Sequence, residues 1–260
     1  MSESTNIREK LLRIEREEQV RIVYACEAGS RMWGLASQNS DYDVRFVYVR
    51  PTDWYLSIFD KPDVIERPVS KQLDIHGWDL KKALNLFRKS NPPLFEWLLS
   101  PVIYMEPYTV MPRIRELAPR AFSPRSGVFH YLHMAKRNFR DCLRSDKLHI
   151  KTYINAFRPI FACRWTLETG GPPPVDFGTL LEALEAEPAV KREIETLVFR
   201  KKAGDTYGPE PARKILADYL ERHITELESA AGQAPAGDSL PDDEWDALFR
   251  DALREVWGRE

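Results

Sequence analysis

Residues 29–34 read Gly-Ser-Arg-Met-Trp-Gly, and residues 40–43 read Ser-Asp-Tyr-Asp. A run rich in β-branched residues, 20–26, precedes the first segment and predicts a buried strand, and residues 41–49 predict a second strand. Side chains two apart on a strand point to the same face, so we expect Asp41 and Asp43 to project together, about 7 Å apart. This order of strand, glycine turn, short helical turn and Asp-x-Asp strand therefore places two carboxylates beside a Gly-Ser turn.

The two halves of this motif predict a site for a metal ion and a triphosphate. Two neighbouring carboxylates repel each other unless a cation lies between them. Mg²⁺ prefers such oxygen ligands and leaves coordination positions for substrate phosphates. A glycine turn lets backbone N–H groups approach a phosphate closely, the following helix adds its positive end, and Ser30 adds a hydroxyl. The pattern predicts Mg²⁺ (or Mn²⁺) as cofactor, a nucleoside triphosphate (NTP) as substrate and nucleotidyl transfer as the reaction.

These motifs resemble the signature of the DNA polymerase beta-like nucleotidyltransferase superfamily. Longer stretches, at residues 27–34, 40–46, 77–81, 91–98, 151–153 and 158–165, are similar to a bacterial and phage branch of predicted nucleotidyltransferases grouped with RNA-ligase and RNA-repair systems. The resemblance implies an α+β fold, in which a mixed β-sheet with flanking helices is followed by a helical domain. It also implies an RNA end as acceptor and an RNA ligase as a possible partner.

The superfamily usually adds a third carboxylate from a neighbouring strand, and Asp74 is the candidate in this sequence. A strand predicted at residues 69–76, ended by Gly77, would direct Leu73 and Ile75 to the core and Asp74 to the site. Asp79 is the alternative, but it precedes an amphipathic helical pattern and N-capping explains it fully. We therefore expect Asp41, Asp43 and Asp74 to be the metal ligands and catalytic residues.

Charge is unevenly distributed along the chain. The 260 residues carry 38 Lys+Arg and 40 Asp+Glu, a net charge of −2 that excludes a generally polycationic nucleic-acid binder. Residues 126–165, however, contain eight basic residues and two acids, whereas residues 166–260 contain 21 acids and 11 basic residues. The basic middle predicts a local phosphate site, and solvated basic helix faces are the alternative.

Two predicted helices carry the candidate substrate contacts of the second half. Lys136 and Arg140 share a helix face, and so do Lys151 and Arg158. If these helices close over the first domain, their basic faces line a cleft opposite the carboxylates. Lys151, Tyr153 and Arg158 also lie in the stretches that resemble the bacterial and phage branch. The expected nucleotide-binding residues are therefore Gly29, Ser30, Arg31, Lys136, Lys151, Tyr153 and Arg158.

Several other residues allow more than one interpretation. Glu27 could orient Arg31, join the metal site or form a surface salt bridge. Arg45 has the strand parity of Asp41 and Asp43, so it could pair with them or with phosphate. Trp33 could stack on a base, although core packing is the simpler expectation.

The chain divides by pattern into three blocks. We predict a catalytic domain at residues 1–111, a helical substrate-binding domain at 112–229, and a linker with a C-terminal amphipathic helix at 230–260. No apolar run approaches the roughly 20 residues of a membrane span, and the N-terminus is polar. Three cysteines without a CxxC pair indicate neither disulfides nor zinc. These features predict a cytoplasmic protein with no membrane partner.

Two other functions remain open from the sequence. The chain could be a nucleotide-sensing or partner-binding module of an RNA-repair system, without turnover. It could also be a nucleotidyltransferase that modifies (AMPylates) a protein, although the long helical half exceeds a minimal catalytic domain.

Overall fold

The computed structural model describes residues 3–70, 72–144, 147–183, 187–237 and 240–258. Within these ranges five strands form one sheet: β1 (Arg21–Glu27), β2 (Tyr42–Val49), β3 (Val64–Ser70), β4 (Leu73–Asp79) and β5 (Ile103–Met105). Their order is β3-β4-β2-β1-β5, with β2 and β4 parallel and the other neighbours antiparallel. This mixed sheet, its flanking helices and the helical second half confirm the predicted α+β fold.

The sheet carries an apolar core on each face. Helix α1 (Glu3–Glu18) covers one face with Ile7, Leu11 and Ile14, which are spaced three or four residues apart. The short helices α2 (Gly29–Met32) and α3 (Thr52–Tyr55) follow β1 and β2. The other face packs against α4 (Leu80–Arg88), α5 (Pro92–Leu98), α6 (Val110–Ala121) and α12 (Asp242–Trp257). Helices therefore cover both faces of the sheet.

The third strand differs from its prediction. Residues 69–76 do not form one strand; they span the end of β3 and most of β4, which pair antiparallel, and residue 71 lies outside the described residues. Gly77 does not end β4, which continues to Asp79. A Cβ at residue 77 would lie 2.2 Å from the Phe46 ring, so the glycine leaves room for that ring inside the sheet. The alternation nevertheless holds: Leu73 and Ile75 are buried and Asp74 is exposed.

The helical second half is built around two long helices, α7 (Pro124–Leu143) and α8 (Ile150–Thr169). Helices α9 (Phe177–Ala183), α10 (Pro188–Ala203) and α11 (Glu210–Ala230) pack on this pair and share one apolar core with it. A 3₁₀ turn at Ala231–Gln233 ends this part. The sequence pattern predicts a helix near residues 177–187; α9 begins there at Phe177, and residues 184–186 lie outside the described ones.

The C-terminal helix α12 packs on its own chain. Its Trp245 contacts Phe87 of α4 edge-on, with ring centroids 5.5 Å apart, and Glu255 accepts from the Thr109 N–H at 2.6 Å. Helix α6 contributes Val110 and Ile114 to the same core. The predicted boundaries at 111 and 229 stay a prediction. No helix among the described residues is both long enough and apolar enough to cross a membrane.

Candidate active site

The parallel pairing of β2 and β4 brings two of the predicted carboxylates together. Asp43 is the register partner of Asp74, and Arg45, two residues further along β2, is the partner of His76. Paired residues of neighbouring strands point to the same face, and Asp41 lies directly before β2. The three acidic residues therefore lie at the same end of two adjacent strands.

The glycine turn lies directly against Asp43. Gly29 has a φ of +59°, and a Cβ built on it would lie 2.1 Å from Oδ2 of Asp43. The Ala28 N–H donates to the Asp43 carbonyl at 2.8 Å, which holds the turn to β2. Only glycine allows both this backbone conformation and this close approach. The turn and the Asp-x-Asp strand thus form one unit, as their sequence order predicts.

A cleft separates this unit from the helical half. Its inner part is a cavity of about 110 Å³ that is lined on the sheet side by Gly29, Ser30, Asp41 and Asp43. The opposite wall includes Lys151 and Asn155 of α8 and Lys201 of α10. A second cavity of about 270 Å³ adjoins it and shares Ser30, Asp41, Lys151 and Lys201. Acidic and basic side chains therefore face each other across the cleft.

Lys201 is a cleft residue that the sequence interpretation missed. It lies in the run Arg200-Lys201-Lys202, inside a segment whose net charge is strongly negative. Burial lowers the pKa of Lys201, nearby Lys151 lowers it further, and Asp41 opposes both effects. The run of three basic residues is the sequence signal that could have indicated Lys201. The charge averaged over residues 166–260 is negative and does not show this local run.

The other expected nucleotide contacts lie elsewhere. Lys136 forms an ion pair with Glu228 of α11 and does not line either cavity. Tyr153 is buried in the core of the helical half. Arg158 is also buried, at 2% exposure, and its Nη1 donates to Glu96 of α5 at 2.8 Å. Of the helical residues expected to contact the nucleotide, the structure brings Lys151 alone to the described cleft.

Arg31 supports the loop that carries Asp41. Its Nη2 donates to the Ser40 carbonyl at 2.7 Å and its Nε to the Asp41 carbonyl at 3.1 Å. Its guanidinium also lies 3.8 Å from the centre of the Tyr42 ring. These contacts fix the approach of the chain to β2, so Arg31 contributes to the site through the position of Asp41.

Glu27 is a buried support of Asp43, so it does not form the surface salt bridge, and the charge of Arg31 acts on its carboxyl. Its Oε1 accepts from the Asp43 N–H at 2.8 Å, and its Oε2 accepts from the Tyr104 hydroxyl. Glu27 is 1% exposed, and burial raises the pKa of its carboxyl, although these hydrogen bonds oppose the rise. The partner Tyr104 lies on β5, which pairs with β1 in the sheet but is 77 residues away along the chain, so local sequence could not reveal the arrangement.

Arg45 lies between two of the carboxylates. Its Nη2 is 3.3 Å from Oδ1 of Asp43 and 2.9 Å from Oδ2 of Asp74. Burial raises the pKa of Asp43, and the Arg45 charge opposes this rise while Asp41 and Asp74 reinforce it. The strand end thus concentrates negative charge that a single guanidinium offsets in part.

The donor chemistry of this strand end fits a hard divalent cation. Asp41 and Asp43 offer carboxylate oxygens beside the Ser30 hydroxyl, and Arg45 already serves as a cation between Asp43 and Asp74. Across the ranges that the structure describes, no three His, Cys, Asp or Glu side chains are grouped closely enough to form a metal site as they stand. Asp41 and Asp43 would therefore hold the ion together with oxygens from the substrate.

A mixed sheet with a glycine turn packed on an Asp-x-Asp strand defines a polymerase beta-like nucleotidyltransferase domain. The chain belongs to the RNA repair pathway DNA polymerase beta family (RlaP), whose model matches residues 4–251. This match confirms the resemblance inferred from the motifs.

Two further comparisons give similar proteins. The chain is 44% identical over 249 residues to the "Uncharacterized protein YcgL" of Bacillus subtilis (strain 168), which covers 96% of each protein. A nucleotidyltransferase-like protein from Exiguobacterium sibiricum 255-15, known from a crystal structure, is 13% identical with a TM-score of 0.33, over 87% of this chain and 77% of that one.

Proposed function

We propose that the protein transfers a nucleoside monophosphate from an NTP to an acceptor hydroxyl. The observation that carries this proposal is the make-up of the cleft. Asp41, Asp43 and the Gly29–Ser30 turn line one wall, and Lys151 and Lys201 line the opposite wall. In the reaction the acceptor oxygen bonds to the α-phosphorus and gives up its proton, while the bond from the α-phosphorus to the bridging oxygen breaks and pyrophosphate leaves.

The triphosphate binds between the glycine turn and the two lysines. Backbone N–H groups of the turn and the Ser30 hydroxyl donate to phosphate oxygens, which the absence of a side chain at Gly29 allows. Helix α2 has four residues, so its dipole adds little and the local N–H groups carry this contact. Lys151 and Lys201 place two positive charges on the other side of the phosphates.

Asp41 and Asp43 would hold Mg²⁺ or Mn²⁺ in this arrangement. When bound, the ion would neutralise phosphate charge and stabilise the departing pyrophosphate. We retain Asp74 as the third carboxylate, whose role would be to favour removal of the proton from an incoming hydroxyl. Glu27 and Arg31 keep Asp43 and Asp41 in place through their backbone groups.

An RNA end is the acceptor that we propose, because the family belongs to an RNA repair pathway. An RNA ligase acting on the same ends is the partner that this proposal implies. We place the reaction in the cytoplasm, where NTPs and RNA ends are both present.

The proposal is tested by label transfer. The full chain is incubated with each α-³²P-labelled NTP, Mg²⁺ and a panel of RNAs and DNAs with 3′- or 5′-hydroxyl and phosphate ends. We expect label on an RNA with a free hydroxyl and, in the variant carrying Asp41→Asn and Asp43→Asn, a loss of at least about a hundredfold. Asp246→Asn, an exposed helix position, is the matched control.

The other outcomes identify the competing functions. Tight NTP binding without transfer to any acceptor supports a sensor, and label on protein supports a protein-modifying enzyme. Transfer that survives the double substitution unchanged would reject the assigned site.

A further inference from the structure

We propose that Arg45 is a positioning residue that reserves Asp74, so that the resting protein offers a divalent cation only Asp41 and Asp43. This inference rests on the proposed function, because it concerns how the same carboxylates are divided. Release of Arg45 would be the step that adds Asp74 to the metal site.

The contacts of Arg45 are set by strand register. Arg45 lies two residues beyond Asp43 on β2, and Asp74 is the register partner of Asp43 on β4. The guanidinium reaches back along the strands, where Nη2 is 2.9 Å from Asp74 and 3.3 Å from Asp43. Its Nη1 donates to the Val44 carbonyl at 3.0 Å, which fixes the second arm. Three contacts therefore determine the position of this side chain, which is 19% exposed.

The two oxygens of Asp43 have different surroundings. Oδ1 faces Arg45, whereas Oδ2 faces Gly29 at the cleft. A cation in the cleft can therefore bind Oδ2 while Oδ1 keeps its contact with the guanidinium. Asp74 differs, because Arg45 holds its Oδ2 at the shorter distance and its side chain lines neither of the two cavities of the cleft.

The formal charges explain why Arg45 stays paired with Asp74 while Asp41 and Asp43 remain open to a cation. Asp41, Asp43, Asp74 and Arg45 sum to a formal charge of −2, which one divalent cation neutralises. An arginine stays protonated at any ordinary pH, so Arg45 releases Asp74 only by moving. Charge-assisted hydrogen bonds of this length favour the paired position.

A metal-binding double-mutant cycle tests the inference without any turnover. Mn²⁺ affinity of the full chain is measured by calorimetry, in the absence of nucleotide, for wild type, Arg45→Met, Asp74→Asn and the double variant. We expect Asp74→Asn to change the Mn²⁺ Kd by less than about threefold, since Arg45 already withholds this carboxylate. Arg45→Met should tighten the Kd by about tenfold or more, and adding Asp74→Asn should abolish that gain.

The matched control is Arg67→Met. Arg67 lies on β3 of the same sheet, pairs with Glu18 and should leave the Mn²⁺ Kd unchanged. If Arg45→Met does not fold, as judged by circular dichroism, Arg45→Gln removes the same charge and should tighten the Kd equally.

The inference and the proposed function fail differently. Two results would overturn the role of Arg45 alone. One is a loss of about tenfold in Mn²⁺ affinity when Asp74→Asn is made in the wild-type background, and the other is an unchanged Kd when residue 45 is neutral. Wild-type protein that binds no Mn²⁺ without nucleotide overturns this inference alone, because the proposed metal site also uses substrate oxygens. Mn²⁺ binding that is equal after Asp43→Asn overturns the proposed metal site and this inference with it.

Discussion

The carboxylate of Asp43 occupies the space that a side chain at Gly29 would fill, with Oδ2 lying 2.1 Å from the position of an ideal Cβ. The turn proposed to bind phosphate and the strand proposed to bind metal are therefore in contact, because Oδ2 of Asp43 fills the space left by the absent side chain of Gly29.

Gly29→Ala should therefore abolish label transfer while leaving the fold intact. The added methyl group must displace the Asp43 carboxylate, and we expect a loss of at least about a hundredfold in kcat/KM, because misplacement of about 1 Å costs this much. The left-handed backbone strains an alanine at this position and lowers the free energy of unfolding by about 1 kcal/mol.

Gly170→Ala separates strain from displacement. Gly170 has a φ of +69°, and a Cβ there would meet nothing within 4 Å. It should show the same loss in stability, measured by urea unfolding, with kcat/KM near that of wild type. Equal losses of activity in both variants would contradict the role assigned to Gly29.

Lys201→Ala should weaken NTP binding without disturbing the acidic side of the cleft. Its ammonium lies near Lys151 and Asp41, so its removal takes away one of the two charges facing the phosphates. We expect the KM for NTP to rise about tenfold, a loss typical of one charged contact, with a smaller change in kcat.

Lys202→Ala is the matched control, because Lys202 is the exposed neighbour of Lys201 on α10. Its KM should equal that of wild type. A KM that changes in Lys202→Ala as much as in Lys201→Ala would point to a diffuse charge effect and against a specific contact.

The local elements of the site follow from the sequence, and the long-range contacts do not. The strand parity of Asp74 and the N-cap at Asp79, which accepts from the Lys81 N–H at 2.8 Å, are confirmed because they depend on neighbours a few residues away. The single strand expected at 69–76 was wrong because a hairpin with apolar residues on both arms has the same pattern as one longer strand.

Contacts between distant segments could not be inferred in the same way. Glu27 meets Tyr104 from 77 positions away, and Glu96 meets Arg158 from 62 positions away. The local sequence around a carboxylate near a turn does not show whether its side chain is buried or exposed, and the same holds for an arginine on a helix. The residues assigned to substrate in the helical half were chosen by charge, helix-face spacing and family resemblance. None of these distinguishes Lys151 in the cleft from Arg158 in the interior.

The ion pair of Glu96 and Arg158 should matter for stability and domain placement. It joins α5 to α8, and the Tyr131 hydroxyl of α7 also donates to Glu96 at 3.3 Å, while Trp33 covers the guanidinium at 4.4 Å. Arg158→Met leaves a buried carboxylate without its cation and should cost about 3–5 kcal/mol in the free energy of unfolding.

The double variant Glu96→Gln with Arg158→Met tests whether Arg158 also contacts substrate. Removal of both charges should recover most of the lost stability, since neither is then left unpaired. We expect label transfer to recover with it. Restored stability with activity still about a hundredfold low would instead support the direct nucleotide contact expected from the sequence.

Asp79 should make stability fall as the pH rises. Burial raises the pKa of this carboxyl, although the Tyr55 hydroxyl and the Lys81 N–H donate to it and oppose the rise. The folded protein therefore holds the proton more tightly than the unfolded chain does. The resulting contribution to stability is complete below the unfolded pKa of about 4 and is lost as the pH rises through the higher folded pKa.

Asp79→Asn removes this titration while keeping a residue that caps helices equally well. The free energy of unfolding, measured in urea between about pH 3.5 and pH 7, should shift in favour of the variant as the pH rises, because only the wild type must bury a charge. A difference between Asp79→Asn and wild type that stays constant across this range would show that the folded and unfolded states bind the Asp79 proton equally.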